Sequence, residues 1–442
     1  MKRHSGVSES SRLQTNPVLS AAASIWALLF GMGMLMLGNG LQNTLLGVRA
    51  SSENFGSTVT GLVMSGFFAG FLLGSWLSPG VIQRVGHLRL FAAVVSLASI
   101  AILVQSVFVY PLVWALMRVL AGYCQATALI VAESWLNVRI TNEHRGKLLS
   151  IYNIVTYLSV GGGQLLLNLA DPGNTTLFIL VSVLLSFAAV PILLSLSPQP
   201  VQEAPELLSV RELYRASPLG LIGSSMAGLL QGAVFGMGAV YAQQVGMSLG
   251  QISLFMFVLI GGVALFQWPV GMLSDRIDRR KVITGLALVS AAVALLAIPA
   301  GDTIGYLMVL APLMGTGPMI LYSLFVAHTN DYLRHGQMVA ASSALVLVFG
   351  VGASFGPSLT GILMGILGPS GWLWVLALGQ LGIGGFTLYR MTRREALPVA
   401  EQSAYVPDAA LTSGLVPAQT QQMLEKEGYE LDTDDPENGE GR

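Results

Sequence analysis

The sequence has few charged residues and almost no cysteine. Lys, Arg, Asp and Glu make up 10% of its 442 residues, whereas about 25% is usual in a soluble globular domain. So few charges cannot cover the surface of a water-soluble protein of this length, and that class is excluded. The formal net charge of −1 offers no basic surface for a nucleic acid, so no nucleic acid is expected as a partner.

Several kinds of chemistry lack the residues that they need. One cysteine, Cys124, excludes an internal disulfide and any cysteine-based zinc or iron–sulfur centre. The chain contains no phosphate-binding loop of the form G-x-x-x-x-G-K-[ST], which argues against an ATP-driven pump. The histidines show no metal-ligand spacing. We therefore expect neither a metal nor a cofactor.

Hydrophobic residues are abundant, at 53% of the chain, and they form continuous runs of about 20 residues, the length of a transmembrane helix. The runs do not alternate with polar residues as the strands of a membrane barrel do. Polar residues separate twelve runs, at 18–45, 57–80, 89–109, 111–134, 148–170, 176–197, 217–242, 250–273, 282–300, 304–327, 339–366 and 371–391. The chain is therefore predicted to be an all-α polytopic membrane protein with twelve transmembrane helices.

Basic residues predict the orientation of these spans, because cytoplasmic loops carry an excess of Lys and Arg. With the N-terminus inside, Arg49 is alone in an outside loop and Arg118 is alone within a span. The first apolar run is too long for the core of a signal peptide, so we expect it to be retained. The prediction is a multi-pass, monomeric protein of the cell inner (plasma) membrane with both termini in the cytoplasm.

Changes in composition divide the chain into five parts. A polar N-terminal tail (1–17) precedes an N-terminal six-helix bundle (18–197), and a cytoplasmic linker (198–216) leads to a C-terminal six-helix bundle (217–394). The remainder (395–442) is rich in Glu, Asp, Gln, Pro and Gly, a composition typical of disorder. It is predicted to be a disordered acidic tail in the cytoplasm.

The two sets of six spans repeat each other at an offset of about 190 residues. The loop after the second span reads PGVIQRVGHLR (79–89), and the loop after the eighth reads GMLSDRIDRRK (271–281). Matched loops in six-plus-six spans predict two pseudo-symmetric bundles that are related by an axis along the membrane normal.

Three segments resemble motifs of the major facilitator superfamily. Residues 271–281 resemble its loop motif, 118–122 (RVLAG) its second motif and 352–361 (GASFGPSLTG) its Gly-Pro motif. Residues 133–137 (ESWLN) further resemble a poorly characterised bacterial subgroup. The resemblance covers nearly all of 18–394 and implies a secondary transporter whose two bundles give alternating access to a central site.

Polar side chains within spans are the candidates for binding, because a lipid-facing amide would be unpaired in hydrocarbon. The fifth span has a polar face made of Ser150, Asn153, Tyr157, Gln164 and Asn168. The predicted substrate-binding residues are Asn39, Asn43, Arg118, Gln125, Asn153, Tyr157, Gln164 and Gln231. Amides beside one arginine suit a small polar, zwitterionic or anionic solute, although Arg118 alternatively braces a neighbouring helix. Gln42 clusters with Asn39 and Asn43, whereas Gln231 and Gln267 are weaker candidates. Tyr322 and Trp268 either cap the cavity or pack as core aromatics.

A second set of residues is expected to couple or gate transport: Glu133, Arg84, Arg145, Asp275, Arg276 and Arg279. Glu133, the one acidic residue within a span, is either a proton carrier or part of a salt bridge at the inner gate. Asp275 is predicted to meet the start of the fifth span, where the helix dipole favours a carboxylate, and so to latch the outward-open state. The alternative is that its loop only sets the topology.

Glycines at a spacing of four predict close helix contacts. They occur at 66, 70 and 74 in the second span and at 352 and 356 in the eleventh. The family resemblance implies that these two spans meet between the bundles, where the glycines would form either a rocking surface or static packing.

Other functions were weighed against solute transport. The same fold suits proton-driven efflux of amphipathic drug-like compounds, although the Gly-Pro motif lies in the eleventh span and not in the fifth, as is typical of drug antiporters. A non-transporting receptor or scaffold is also open. Residues 352–356 spell G-x-S-x-G around Ser354, but a serine nucleophile needs a base within reach, and no histidine is predicted near mid-span. We therefore predict a proton-coupled transporter of a small organic solute, with no catalytic residue.

Overall fold

The computed structural model describes residues 17–139, 145–194, 209–300, 303–333, 337–398, 402 and 405. Within these ranges the regular structure is helical, without a β-strand. The α-helices are α1 (Pro17–Ser52), α2 (Ser57–Val85), α3 (His87–Val107), α4 (Pro111–Arg139), α5 (Arg145–Leu165), α6 (Thr176–Leu194), α7 (Val210–Ala216), α8 (Pro218–Gln244), α9 (Leu249–Arg276), α10 (Arg279–Ala297), α11 (Ile304–Asn330), α12 (Met338–Leu367) and α13 (Ser370–Met391). Nearly all of the predicted N-terminal tail, and the predicted acidic tail from 406 onward, lie outside these ranges.

Ten of the described helices are long and apolar enough to cross a membrane. The other two long helices, α1 and α5, pack against each other. Their polar residues lower their hydropathy but are buried, as Asn43 and Gln164 show. Together these twelve helices confirm the predicted all-α transmembrane fold.

Helix α7 is the element that the hydropathy pattern did not predict. It lies in the linker, and its N-terminus is a capping box in which Ser209 Oγ accepts a hydrogen bond from Glu212 N at 3.3 Å and Glu212 Oε2 accepts one from Ser209 N at 3.0 Å. Side-chain and backbone hydrogen bonds from Ser209 hold the pKa of the Glu212 carboxyl below its usual value. The S-x-x-E spacing was the available sequence signal for this helix start.

Reciprocal glycine contacts join helices within each half. Gly40 of α1 lies against the Val160 carbonyl of α5, while Gly163 of α5 lies against the Leu37 carbonyl of α1. In the second half, Gly228 of α8 and Gly352 of α12 each lie against a backbone carbonyl of the other helix in the same way. Such contacts need glycine because a Cβ would occupy the space of the opposing backbone.

A second set of reciprocal contacts follows the same rule. Gly70 of α2 and Gly122 of α4 lie against carbonyls of each other's helix, as do Gly262 of α9 and Gly315 of α11. Each of the four first-half glycines in these reciprocal contacts has a counterpart about 190 residues later in the sequence. The repeat inferred from the loops is therefore also present in the helix contacts, and the two halves are pseudo-symmetric.

The glycine prediction was wrong about the partner helix. Gly66, Gly70 and Gly74 of α2 lie against carbonyls of α4, and Gly352 and Gly356 of α12 lie against carbonyls of α8. These stripes therefore pack statically within a half and form no rocking surface. The second and eleventh spans (α2 and α12) do meet between the halves, as the resemblance implied.

Other residues make the contact between the halves. Ser65 Oγ of α2 and Ser358 Oγ of α12 are 2.7 Å apart, and Gly61 of α2 lies against the Pro357 carbonyl. Asn168 Nδ2, just after α5, donates to Ser253 Oγ of α9 at 2.6 Å. These contacts lie toward the end of the molecule that carries loops 53–56 and 245–248, which we name the closed end.

Two tryptophans show the state of the opposite end. Trp76 of α2 and Trp268 of α9 lie about three helical turns beyond Ser65 and Phe257, so each shares its helix face with a residue that contacts the other half. Both side chains are exposed, by 62% and 70% respectively. We interpret this exposure as separation of the halves at this end, which we name the open end, and the role of Trp268 as a cap of the cavity stays a prediction.

Candidate functional site

The centre of the first half contains a buried arginine with few partners. Arg118 of α4 is 1% exposed. Its Nη2 donates to Asn43 Oδ1 at 2.8 Å, and its guanidinium carbon lies 4.4 Å from the centre of the Phe67 ring. Nε and Nη1 have no hydrogen-bond partner among the described residues. The side chain is thus held at one nitrogen and one face, and two nitrogens remain available.

The asparagines of α1 fix the orientation of this arginine. Asn43 Nδ2 donates to Asn39 Oδ1 at 2.9 Å, which leaves Asn43 Oδ1 turned toward Arg118. The two asparagines are one helical turn apart, so they lie on the same face of α1. The predicted residues Asn39, Asn43 and Arg118 are therefore brought together as one hydrogen-bonded chain.

Nothing in the described part of the chain neutralises this cation with a carboxylate, since its salt bridges all involve other arginines. A charge that is removed from water without a counter-charge costs several kcal/mol. An anionic group that accepted hydrogen bonds from Nε and Nη1 of Arg118 would offset that cost. The arrangement can therefore bind an anion.

Two further predicted amides are buried with hydrogen-bonding capacity to spare. Gln125, on the α4 stripe of Arg118, donates from Nε2 to Met36 Sδ at 3.8 Å, which is a weak acceptor. Gln231 of α8, in the second half, is 2% exposed, and its Oε1 has no partner among the described residues. Gln42 Nε2 and Gln267 Nε2 likewise have no hydrogen-bond partner among the described residues.

The polar face of α5 divides into parts with different surroundings. Asn153 and Tyr157 are buried, each 7% exposed. Gln164 accepts a hydrogen bond from Thr44 and donates to the Val160 carbonyl, so it ties α5 to α1. Asn168 joins the halves through Ser253, whereas the side chain of Ser150 lies outside those described.

Glu133 is more deeply buried than a residue in a surface salt bridge would be. Its side chain is fully buried in α4, and Oε1 accepts a hydrogen bond from Tyr152 Oη of α5 at 3.3 Å. The side chains of Arg139, Arg145 and Lys147, its expected basic partners, lie outside those described. Glu133 and Tyr152 together form a polar contact between α4 and α5.

The gating candidates of the second half surround the start of α10. Arg279 is 1% exposed, and its Nη1 donates to both oxygens of Asp331 at 2.7 and 2.8 Å. Asp275 is 3.5 Å from Arg279 Nη2 and accepts from Tyr405 N at 2.9 Å. Arg276, like Arg84 of the first half, is exposed.

Sequence reasoning missed several partners of these residues. Phe67, Tyr152 and Asp331 were not singled out, and no local sequence signal marks the contact of Asp331, which directly follows α11, with Arg279. Tyr322 is buried and packs against Phe349 in a tilted ring pair, with 4.7 Å between ring centres. Ser354 donates its hydroxyl proton to the Gly350 carbonyl of its own helix at 2.8 Å, a structural bond and not that of an activated nucleophile.

Comparisons with known proteins agree with this architecture. A family model described as Major Facilitator Superfamily matches residues 28–264 and 220–418. The "Uncharacterized MFS-type transporter YcaD" of Escherichia coli O7:K1 (strain IAI39 / ExPEC) is 29% identical over 349 residues, which cover 77% of this chain and 88% of that protein.

Two solved structures have a similar fold. The nucleoside transporter NupG has a TM-score of 0.65 at 14% identity, covering 84% of this chain and 98% of that one. A bacterial homologue of the human lysosomal transporter Spinster, in an inward-facing and occupied conformation, has a TM-score of 0.66 at 14% identity, covering 92% and 98%. At this identity the likeness shows the fold.

The family match spans most of the chain, and the helices, the repeat and the transporter relatives agree with it. The chain therefore belongs to the major facilitator superfamily and is a multi-pass secondary transporter of the membrane, not an enzyme.

Proposed function

We propose that the chain transports a small organic solute that carries an anionic group, either as an anion or as a zwitterion. The observation that carries this proposal is Arg118, a buried cation with two nitrogens that lack a partner among the described residues. Asn39 and Asn43 orient it, and Gln125 and Gln231 supply neutral hydrogen-bonding groups. Hydrogen bonds between a charged guanidinium and an anion are about twice as strong as neutral ones, which gives the site its selectivity.

Alternating access follows from the two ends of the molecule. The halves touch through Ser65 and Ser358 at the closed end and are apart at Trp76 and Trp268. With both termini in the cytoplasm, the open end faces inward, so this conformation releases solute to or accepts it from the cytoplasm. The similarity to a structure titled inward-facing supports this orientation.

Proton coupling is assigned to Glu133 in this proposal. The carboxyl is buried and accepts a hydrogen bond from Tyr152, so a proton that binds to it changes a contact between α4 and α5. It belongs to the ESWLN segment, through which we place the chain in the bacterial subgroup named above. The chain would then act in the inner membrane as two bundles (18–197 and 217–394) that exchange solute and protons.

The first experiment measures thermal stabilisation of the purified full chain by solutes sorted by charge class. A ligand at one hundred times its Kd raises stability by about 2.7 kcal/mol. We expect anions or zwitterions to stabilise the wild type, and Arg118→Gln to abolish the effect. Arg89→Gln, which removes an exposed arginine of α3, is the matched control and should keep it.

The unliganded Arg118→Gln variant should melt no earlier than the wild type, because it removes a buried charge without a counter-charge. Stabilisation by lipophilic compounds alone, or stabilisation that Arg118→Gln leaves intact, contradicts the proposed site. Transport of a hit by proteoliposomes then tests coupling. If Glu133→Gln moved the solute with an unchanged dependence on the pH gradient, Glu133 would not be the proton carrier.

A further inference from the structure

A small recess that is partly open to solvent lies at the open end of the second half. It sits where α8 and α10 begin and α11 and α13 end, far from Arg118 in the first half. The residues that line it are Ser217, Pro218, Leu219, Arg280, His328, Tyr332, Arg390 and Arg394. Three are arginines and none is acidic, so a carboxylate is missing from a lining in which basic groups converge.

One of the three arginines is already neutralised. Arg280 donates from Nε and Nη2 to the carboxylate of Asp278, at 3.1 and 2.9 Å. Its remaining nitrogen donates to the Arg394 carbonyl at 2.8 Å. Arg280 is therefore a rigid wall of the recess and not the ligand-binding group.

The other two arginines leave positive charge in the recess. Arg394 is held in place, because its guanidinium carbon lies 3.8 Å from the centre of the Tyr332 ring and its Nη1 donates to the Ala216 carbonyl at 3.1 Å. The guanidinium of Arg390 makes neither an ion pair nor a hydrogen bond with any described residue. Burial raises the pKa of the Tyr332 hydroxyl, so the ring stays neutral and adds no negative charge.

A buried imidazole and a helix start complete the lining. His328 is 6% exposed, and its imidazole makes no hydrogen bond with any described residue. Its ring nitrogens are therefore available where it borders the recess. Helix α8 begins with Pro218, which has no N–H, and Ser217 Oγ accepts from Gly220 N at 3.1 Å. The Leu219 N–H of the first turn has no hydrogen-bond partner within the helix and lies at the positive end of the helix dipole.

We propose that this recess binds a phosphate group, through Arg390, Arg394, His328 and the start of α8. Donors converge on it from three helices, as suits an anion with several oxygens, and arginine is the preferred phosphate-binding side chain. The recess is small and partly open to solvent, so it does not enclose a drug-sized molecule and suits a phosphate group that is bound at the protein surface. The ligand is therefore either the headgroup of an anionic phospholipid or a soluble phosphate compound, and it binds independently of the transported solute.

The test measures thermal unfolding of the full-length protein with two probes. One is inorganic phosphate, titrated at constant ionic strength against chloride. The other is phosphatidylglycerol, mixed in equal parts with phosphatidylcholine in nanodiscs and compared with phosphatidylcholine alone. We expect at least one probe to stabilise the wild type. Arg390→Gln should raise the Kd that the titration gives for that probe about tenfold or more, as expected for the loss of hydrogen bonds to a charged group.

Arg393→Gln is the matched control, because Arg393 is the exposed neighbour that does not line the recess. It should respond as the wild type does. An effect of phosphate identifies a soluble ligand, and an effect of phosphatidylglycerol alone identifies a lipid. The Arg390 side chain makes no hydrogen bond or ion pair with a described residue that the substitution would remove, so the Arg390→Gln variant should fold. If neither probe stabilised the wild type, or if Arg390→Gln and Arg393→Gln responded alike, the site would not exist.

Discussion

Three buried arginines differ in what surrounds their charge. Arg279 is paired with both oxygens of Asp331, and Arg280 is paired with Asp278. Arg118 has one amide oxygen and one aromatic face. The first two have their counter-charge built in and hold the structure together. The third lacks one, and this difference is the reason why we propose Arg118 as a binding group.

The ion pair of Arg279 and Asp331 should be worth much more than the neighbouring contact to Asp275. Asp331→Asn leaves a buried guanidinium without its carboxylate, so we expect a loss of about 3–5 kcal/mol in the free energy of unfolding. Asp275→Asn is the control: Asp275 is 42% exposed at 3.5 Å, and its loss should cost less than about 1 kcal/mol. Unfolding in mixed micelles measures both, and equal losses would refute the assignment.

Asp278 should give the protein a dependence on acid pH. Burial alone would raise the pKa of its carboxyl, but hydrogen bonds from Arg280 and the charges of Arg280 and Lys281 outweigh burial and hold it below the usual 3.8. The stabilisation is fully present above the unfolded pKa and is lost as the pH falls through the lower folded value. The gap in Tm between wild type and Asp278→Asn should therefore close in acid. A gap that stayed constant down to full protonation would contradict this.

At the level of helices, the reciprocal glycine contacts pair α1 with α5, α2 with α4, α8 with α12 and α9 with α11. Each pair is closed by backbone against backbone, without a long side chain between the helices. A reciprocal contact of the same kind joins α2 to α12 between the halves, through Gly61 and Gly361. The four pairs within the halves therefore build each bundle, whereas alternating access has to open the contact between α2 and α12.

A methyl group placed inside one of these contacts should disrupt it. In Gly122→Ala the new Cβ would overlap the Phe67 carbonyl, and we expect a loss of about 1–3 kcal/mol or more, as for other overpacked sites. Gly285→Ala is the matched control, since a Cβ at Gly285 of α10 meets nothing within 4 Å. Alanine is the better helix former, so this variant should unfold no more easily than the wild type. Similar losses in both variants would contradict the contact.

The elements were easier to predict than their contacts. Twelve long apolar runs were enough for the helices, because the bilayer requires that length. Helix ends were less certain: α1 continues to Ser52 although its apolar run ends at 45, because helical hydrogen bonding persists through polar turns. The binding candidates on α1 and α4 could be predicted because a polar side chain without a hydrogen-bond partner is not tolerated in lipid, so these residues had to face the interior. The pair of Arg279 and Asp331 could not, because it joins residues 52 positions apart.

In the whole molecule, the two halves meet at one end and are apart at the other. The pair Ser65 and Ser358 at the closed end has a counterpart inside the first half, where Ser99 Oγ and Ser182 Oγ are also 2.7 Å apart. The two pairs have the same distance between Oγ atoms, but alternating access requires only the first to separate. This contrast makes the mechanism testable within one molecule.

Cross-linking the first pair should stop transport. With Cys124 replaced by alanine, a disulfide between cysteines at positions 65 and 358 would hold the closed end shut. We expect proteoliposome uptake of the solute found in the screen to fall to background and to return after reduction. The same bond between positions 99 and 182 joins α3 to α6 within one half and should leave uptake nearly unchanged. Full uptake with positions 65 and 358 linked would exclude opening at this end.

The exposure of Trp76 and Trp268 also makes the molecule its own optical reporter. Indole fluorescence moves to shorter wavelengths when the ring leaves water. The two rings lie at matched positions of the repeat, on helix faces that turn toward the other half, so closure of the open end would remove both from solvent together. The difference in emission between the unlabelled protein and a Trp76→Phe/Trp268→Phe variant, which subtracts the five other tryptophans, would then record each change of orientation in real time.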